Sequence, residues 1–252
     1  MHLTKTKQID LRTEFFDWEN GFDFRPIYTE GVIYLGFKGR KRDVLIGIGN
    51  EDGNEKWNFK LSNLGTWFDY DKTEKPFQIL KILGIHKKEI FIYLNNGHIL
   101  VLNLETGKKT AVIANDKNIN QGFFSGSFSS NIQFDAINNK LVQLFRKTYT
   151  ELDLDSKKVT QYEISDLKQL NLENTSNFVF DDEFIYFTDK NEKKLGKLNR
   201  ENLKIQWTYS FNKTLQNSNV YGRTLKIKGN YFYVLDNNQT LHIFEKEQNE
   251  TT

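Results

Sequence analysis

No cysteine occurs among the 252 residues, which excludes disulfides, thiolate zinc sites and a cysteine nucleophile together. No apolar run of about 18 residues occurs either, so no segment has the makeup of a membrane-spanning helix. The opening stretch "MHLTKTKQIDLRTEFF" has no apolar core of the length a secretory signal needs, and the expectation is a cytoplasmic protein. An excess of one charge is also missing. With 35 basic and 33 acidic residues the formal net charge is +2, so neither nucleic acid nor an anionic membrane is an expected partner. Sustained helical periodicity is absent. What the chain has instead is 14% aromatic residues within 38% hydrophobic content, which suits a globular core built on Phe and Tyr. Its length alone fits one large all-β domain or two small ones.

Short runs of β-branched and aromatic residues, separated by Asn, Gly, Asp and Lys clusters, are the strand signal. The most apolar are "VIYLGF" at 32, "IFIYL" at 90, "LVQLF" at 141, "FIYFT" at 184 and "YFYVL" at 231. Their spacing suits a β-propeller blade with variable loops. Each of the first four continues with a turn, a third strand, a second turn and a more polar fourth strand, as in "HILVLNL" followed by "KKTAVI" and "YTELDL" followed by "KVTQYEI". The turns between third and fourth strands, "NEDGNE", "ETG", "DSK" and "REN", are short and polar. The fifth copy has "RTLKIKG", "YFYVLD" and "TLHIFE" and lacks a fourth strand. An unpaired edge needs a cover, and residues 4–12, with Ile9 and Leu11 on one face, have the character to complete it. The expectation is a single all-β domain over 1–252, a five-bladed β-propeller of four-stranded antiparallel blades. These span approximately 27–61, 79–113, 131–164, 177–211 and 220–245, the last completed by strand 4–12.

"HILVLNLETGKKTAV" and "LIGIGNEDGNEKWNF" resemble the quinoprotein-type (PQQ-like) propeller repeat, in which a strand ending in Leu-Asp precedes a Thr-Gly-Lys turn and a Trp-containing outer strand. The fourth copy, "KLGKLNRENLKIQWTYS", retains the Trp, whereas the third and fifth have drifted. The resemblance implies a propeller fold and carries no particular activity. A five-copy chain departs from the larger exported quinone-binding dehydrogenases, and no cofactor is expected.

Connections from the fourth strand of one copy to the first of the next are long: 62–78, 114–130, 165–176 and 212–222. In propellers this class of connection emerges on one face, and long loops are more often functional than accidental. The first two connections carry Trp67, Phe68, Tyr70 and Phe77, then Phe123, Phe124 and Phe128. Aromatics on loops suit anchors for a partner protein, stacking platforms for a sugar, or plugs over strand ends.

Catalytic chemistry is sparse. Asp135 in "NIQFDAI" is the best candidate for a glycosidase-type acid. Asp181, Asp182, Glu183, Asp153 and Asp155 read as solvated turn acids. "DLDSKK" and "FDYDKTE" have too few spaced oxygens for a calcium loop. His98 and His242 occupy comparable places in their copies without a local pair, so no metal site is expected. The basic cluster "KGRKRD" at 38–43 reads as a solvated hairpin tip. "GIGNEDG" is a hairpin turn and "FFSGSFSS" lacks the frame of a nucleophile elbow. The expected function is therefore non-catalytic binding of a protein partner. In general character the chain resembles the immunity proteins that neutralise toxins delivered between bacteria. A carbohydrate-binding propeller and a five-bladed glycoside hydrolase are the alternatives.

Overall fold

The computed structural model describes residues 27–28, 33–38, 43–49, 52–69, 71–113, 132–170, 175–189, 193–211, 225–235 and 240–246. The strand proposed for residues 4–12 and most of the basic turn at 38–43 lie outside them. The chain divides into two compact units, one whose described residues end at 113 and another whose described residues begin at 132.

In the first unit, sheet 1 comprises β1 (Ile27–Tyr28), β2 (Ile33–Lys38), β3 (Val44–Gly49) and β4 (Glu55–Lys60), antiparallel in chain order. A turn of 3-10 helix (Leu61–Leu64) leads into a separate two-stranded hairpin, β5 (Thr66–Phe68) and β6 (Glu74–Pro76). Sheet 2 comes next, with β7 (Ile79–His86), β8 (Glu89–Leu94), β9 (Ile99–Asn103) and β10 (Lys109–Ile113). In the second unit, sheet 3 contains β11 (Gln133–Asp135), β12 (Lys140–Phe145), β13 (Thr148–Asp153) and β14 (Val159–Glu163). The helix α1 (Ser165–Gln169) leads to sheet 4, formed by β15 (Thr175–Phe180), β16 (Phe184–Asp189), β17 (Lys194–Asn199) and β18 (Ile205–Ser210). Sheet 5 has three strands among the described residues, β19 (Leu225–Lys228), β20 (Tyr231–Leu235) and β21 (Leu241–Glu245).

Burial explains the strand signal. Strands β8 and β9 are buried almost end to end, because both of their faces are covered, and they therefore read as continuous apolar runs. Their outer neighbour β10 is largely exposed, which is why the fourth strand of each copy is more polar. The core of the first unit interleaves Leu45, Trp57, Phe59 and Leu61 with Ile90, Ile92, Leu100 and Leu102 of the next sheet. The second unit does the same twice. Val142, Leu144 and Tyr149 meet Phe178, Ile185 and Phe187, then Tyr186 and Leu195 meet Leu225, Phe232 and Val234.

The turns after the third strands of sheets 2, 3 and 4 share one construction. The side-chain oxygen of Asn103 accepts the amides of Glu105 and Thr106, Asp153 accepts that of Ser156, and Asn199 accepts those of Glu201 and Asn202. Such Asx turns explain why these three strands end in Asn or Asp.

Candidate partner-binding surface

The first long connection, expected as an irregular loop, is mostly ordered structure. Thr66–Phe68 alternates outward and inward residues against Glu74–Pro76, with Trp67 opposite Lys75 and Phe68 opposite Glu74. The Asp69 carboxylate accepts a bond from Lys75, and the Lys72 amide bonds Asp69 O at 2.9 Å, so the tip is held from both sides. Asp71 is kept below the ordinary carboxylate range by hydrogen bonds from Thr73. At the base, Asn95 of sheet 2 donates to Pro76 O at 3.0 Å and accepts the Gln78 amide at 3.0 Å. The hairpin is thus anchored to its unit through backbone atoms.

The predicted aromatics part company here. Phe68 is 68% exposed. Trp67 is half-buried and donates its indole N–H to Pro76 O at 3.3 Å. Phe77 packs against the core of the first unit. Tyr70, Phe123, Phe124 and Phe128 lie outside the described residues.

Sequence reasoning missed a second aromatic surface, on sheets 4 and 5. Trp207 stacks with Tyr209 at 6.1 Å between centroids and meets Phe232 and Phe244 edge-on at 6.4 and 6.2 Å. Trp207, Phe232 and Phe244 border a groove of about 690 Å³ that Lys197 also lines, its ammonium 3.8 Å from the centre of the Phe184 ring. The signal in the sequence is "WTYSF" repeating the Trp of "KWNFKL", which by itself marks only repeat ancestry.

The acids also sit differently from expectation. Asp153 is the expected turn acid, but Asp135 is 2% exposed and paired with Arg200, whose side chain is 10% exposed. Arg200 also donates to Asp181 O at 2.7 Å and lies over Phe180. Burial pushes the Asp135 carboxyl up, yet hydrogen bonds from Arg200 and Asn138 outweigh it and hold the group below its ordinary value. Asp181 repeats this arrangement one sheet later. It pairs with Lys246 at 2.6 Å, accepts the Phe184 amide at 2.8 Å, and is held low against the opposing effect of burial. Burial and the neighbouring Asp181 push the Tyr186 hydroxyl upward. Asp135 is buried and Asp181 only about a quarter exposed because sheet 3 meets sheet 4, and sheet 4 meets sheet 5, at this turn. His98 and His242 are not in comparable places: Glu89 pairs with Asn103 and Tyr231 with Glu245, which makes Leu100 the counterpart of His242. Among the described residues no group of three or more His, Asp or Glu side chains is placed to hold a metal ion, and no helix is long and apolar enough to cross a membrane.

No family model matches the chain, and no curated protein matches it. Solved structures do. The chain is similar to BamB from Moraxella catarrhalis, at 11% identity and a TM-score of 0.52, over 87% of this chain and 56% of that one. It is similar as well to Saccharomyces cerevisiae Sqt1, at 12% identity and a TM-score of 0.52, over 86% of this chain and 55% of that one. Both are β-propellers, so the likeness defines the class of fold: an all-β protein of four-stranded antiparallel sheets of the kind that form propeller blades. The chain spans about half the length of the structures it matches.

Proposed function

We propose that the chain is a five-bladed propeller closed by residues 4–12, and that it acts by binding a protein partner without catalysis. The observation that carries the binding assignment is Phe68, a large ring 68% exposed on a hairpin whose tip and base are both tied down. An anchor held rigid before binding loses little conformational freedom when the partner arrives. Trp67 supports the same hairpin from inside, and Tyr70, Phe123, Phe124 and Phe128 belong to the same proposed surface. Phe77 serves the core and positions the hairpin's exit. The paired carboxylates support the non-catalytic reading: a general acid needs a raised pKa, whereas Asp135 and Asp181 are held low by hydrogen bonds that include those from Arg200 and Lys246.

For the partner class we propose a toxin domain, whose neutralisation requires only that a surface be covered. The test is affinity capture from the native host followed by titration of the captured partner. Replacing Trp67, Phe68, Tyr70, Phe123, Phe124 and Phe128 by Ala should weaken the complex by several kcal/mol, with Phe68→Ala alone costing about 2 kcal/mol, as central aromatic anchors do. Unchanged affinity in the sixfold variant would remove the assignment. Survival of cells co-expressing the partner tests the toxin reading separately.

A further inference from the structure

Gly47 and Lys197 are copies of one position with opposite consequences. Each lies on a third strand opposite the tryptophan of the fourth, Gly47 opposite Trp57 and Lys197 opposite Trp207, beside the same one-residue register shift. In the first unit the Trp57 indole lies so close over Gly47 that a Cβ there would run into the ring. That fit leaves Trp57 7% exposed, and its N–H reaches Leu104 O at 2.8 Å. Lysine at this position denies the indole the same seat, because its side chain takes the space. Trp207 is accordingly 38% exposed, and its N–H has no acceptor among the described residues. The counterpart of Leu104 is nevertheless at hand: Lys246 N donates to Asn230 O at 2.7 Å as Leu104 N does to Lys88 O at 2.7 Å, and Lys246 lines the groove beside Trp207.

The groove, about 690 Å³ between sheets 4 and 5, falls within the range of about 300–1,000 Å³ that small-molecule sites occupy. Its walls are aromatic. Phe232 and Phe244 stack at 8° with 5.0 Å between centroids, and Trp207 stands edge-on to both, which favours a flat, apolar body. Lys197 sits between Tyr186 and Trp207 in the cross-strand row, its ammonium over the Phe184 ring, with no ion-pair or hydrogen-bond partner among the described residues. The other charged groups of the groove are engaged: Lys246 with Asp181 at 2.6 Å, and Glu245 with the Tyr231 hydroxyl at 3.3 Å. Asp182 and Glu183 line an adjoining cavity and not the groove itself. The Gln206 amide, also on the groove, can donate or accept. An ammonium and an indole N–H are therefore left open among aromatic rings. Both are donors, so their complement is an acceptor that carries negative charge.

We propose that this groove binds a small planar aromatic carboxylate, its ring system against Trp207, Phe232 and Phe244 and its carboxylate on the Lys197 ammonium. Lys197 has two roles there. It keeps Trp207 from closing over the strand, and it supplies the charge. The site belongs to the second unit and is independent of the partner-binding proposal.

The test titrates the full chain calorimetrically with 2-naphthoate, 2-naphthamide and 2-naphthylmethylammonium, which share one ring system and differ in charge. The carboxylate should bind at one site at least about tenfold more tightly than the amide, the worth of one charge-assisted hydrogen bond, and the ammonium most weakly. Lys197→Met should cost the carboxylate that advantage and leave the amide unchanged. Lys197→Gly, which recreates the surroundings of Trp57, should abolish binding of both. With the four tryptophans replaced by 5-fluorotryptophan and Trp207→Phe identifying the signal, the fluorine shift between H₂O and D₂O reports solvent access. Trp207 should be open in the free protein, shielded by 2-naphthoate, and shielded without ligand in Lys197→Gly. Absence of binding, equal affinity for the three probes, or carboxylate binding that Lys197→Met leaves unchanged overturns the proposal. So does a Trp207 already shielded in the free protein, which places the chain itself or a second copy in the groove. The comparison of probes on the native protein keeps the test decisive if a variant does not fold.

Discussion

Replacing Arg200 by Met should destabilise the second unit strongly at neutral pH and progressively less as the pH falls. Among the described residues the guanidinium is the charged partner of Asp135, a carboxylate 2% exposed, and Met keeps the apolar stem over Phe180 while removing the charge. Taking one partner from a buried ion pair costs about 3–5 kcal/mol, chiefly because the remaining charge stays buried without compensation. With a urea dependence of roughly 2–3 kcal/mol per molar, the midpoint should fall by roughly 1–2 M. The pH dependence comes from the sign of the shift. In the native protein the Asp135 carboxyl titrates below its unfolded value, so the pair's contribution is fully present above about pH 4 and disappears as pH falls through the folded value. In the variant only the hydrogen bonds from Asn138 still oppose burial, so the folded value should rise above the native one and, where burial prevails, above the unfolded one. The variant therefore loses less stability on acidification than the native protein, or regains it, and the gap between them closes. Urea titrations at pH 7 and at about pH 4.5, monitored by Trp207 fluorescence in the same unit, measure that gap. A gap under about 1 kcal/mol at neutral pH, or one that does not change with pH, would show that the pair is not buried as described. The double variant Asp135→Asn/Arg200→Met should lose less than Arg200→Met alone, because no uncompensated charge remains.

Lys246→Met removes the partner of Asp181, but both side chains are about a quarter exposed, so the loss should be only about 1 kcal/mol and should fade on the same acid limb. Trp57→Phe strands the Leu104 carbonyl and should cost about 1–3 kcal/mol by thermal or urea unfolding. Gly107→Ala puts a Cβ into the Trp57 indole and an L-residue at φ 64°, together worth about 2–5 kcal/mol; a smaller loss would mean the indole is not seated on this turn. Phe68→Ala should leave stability within about 0.5 kcal/mol, since the ring touches little of its own protein.

The blade-like sheets are legible in the sequence because their signal is local. Apolar runs such as "IFIYL" and "ILVLN" mark strands covered on both faces, and Asn103, Asp153 and Asn199 mark the turns after the third strands. The hairpin at Thr66–Pro76 is written in the sequence too, as "TWF" and "EKP" around a polar tip, but it falls between repeats, where a loop is the expectation. Asp135 and Arg200 cannot be paired from sequence. They are 65 residues apart, and only the docking of sheet 3 on sheet 4 brings them together. The same holds for Trp207, whose ring meets Phe232 and Phe244 of the next sheet.

One repeat position connects these observations. The residue immediately after the third strand reaches the preceding sheet in each case where both sheets belong to one unit: Leu104 through its carbonyl to Trp57, Arg200 through its guanidinium to Asp135, and Lys246 through its ammonium to Asp181. Asp135 and Asp181 are themselves copies, each lying opposite the first residue of its second strand. The same repeat position thus meets the fourth strand of the preceding sheet by an indole hydrogen bond in the first unit, and the end of the first strand by an ion pair in the second. A charge in such a seam is already committed, which is why acidic residues on these turns are poor markers of catalysis. Phe68, by contrast, stands 68% exposed on a hairpin that belongs to neither flanking four-stranded sheet.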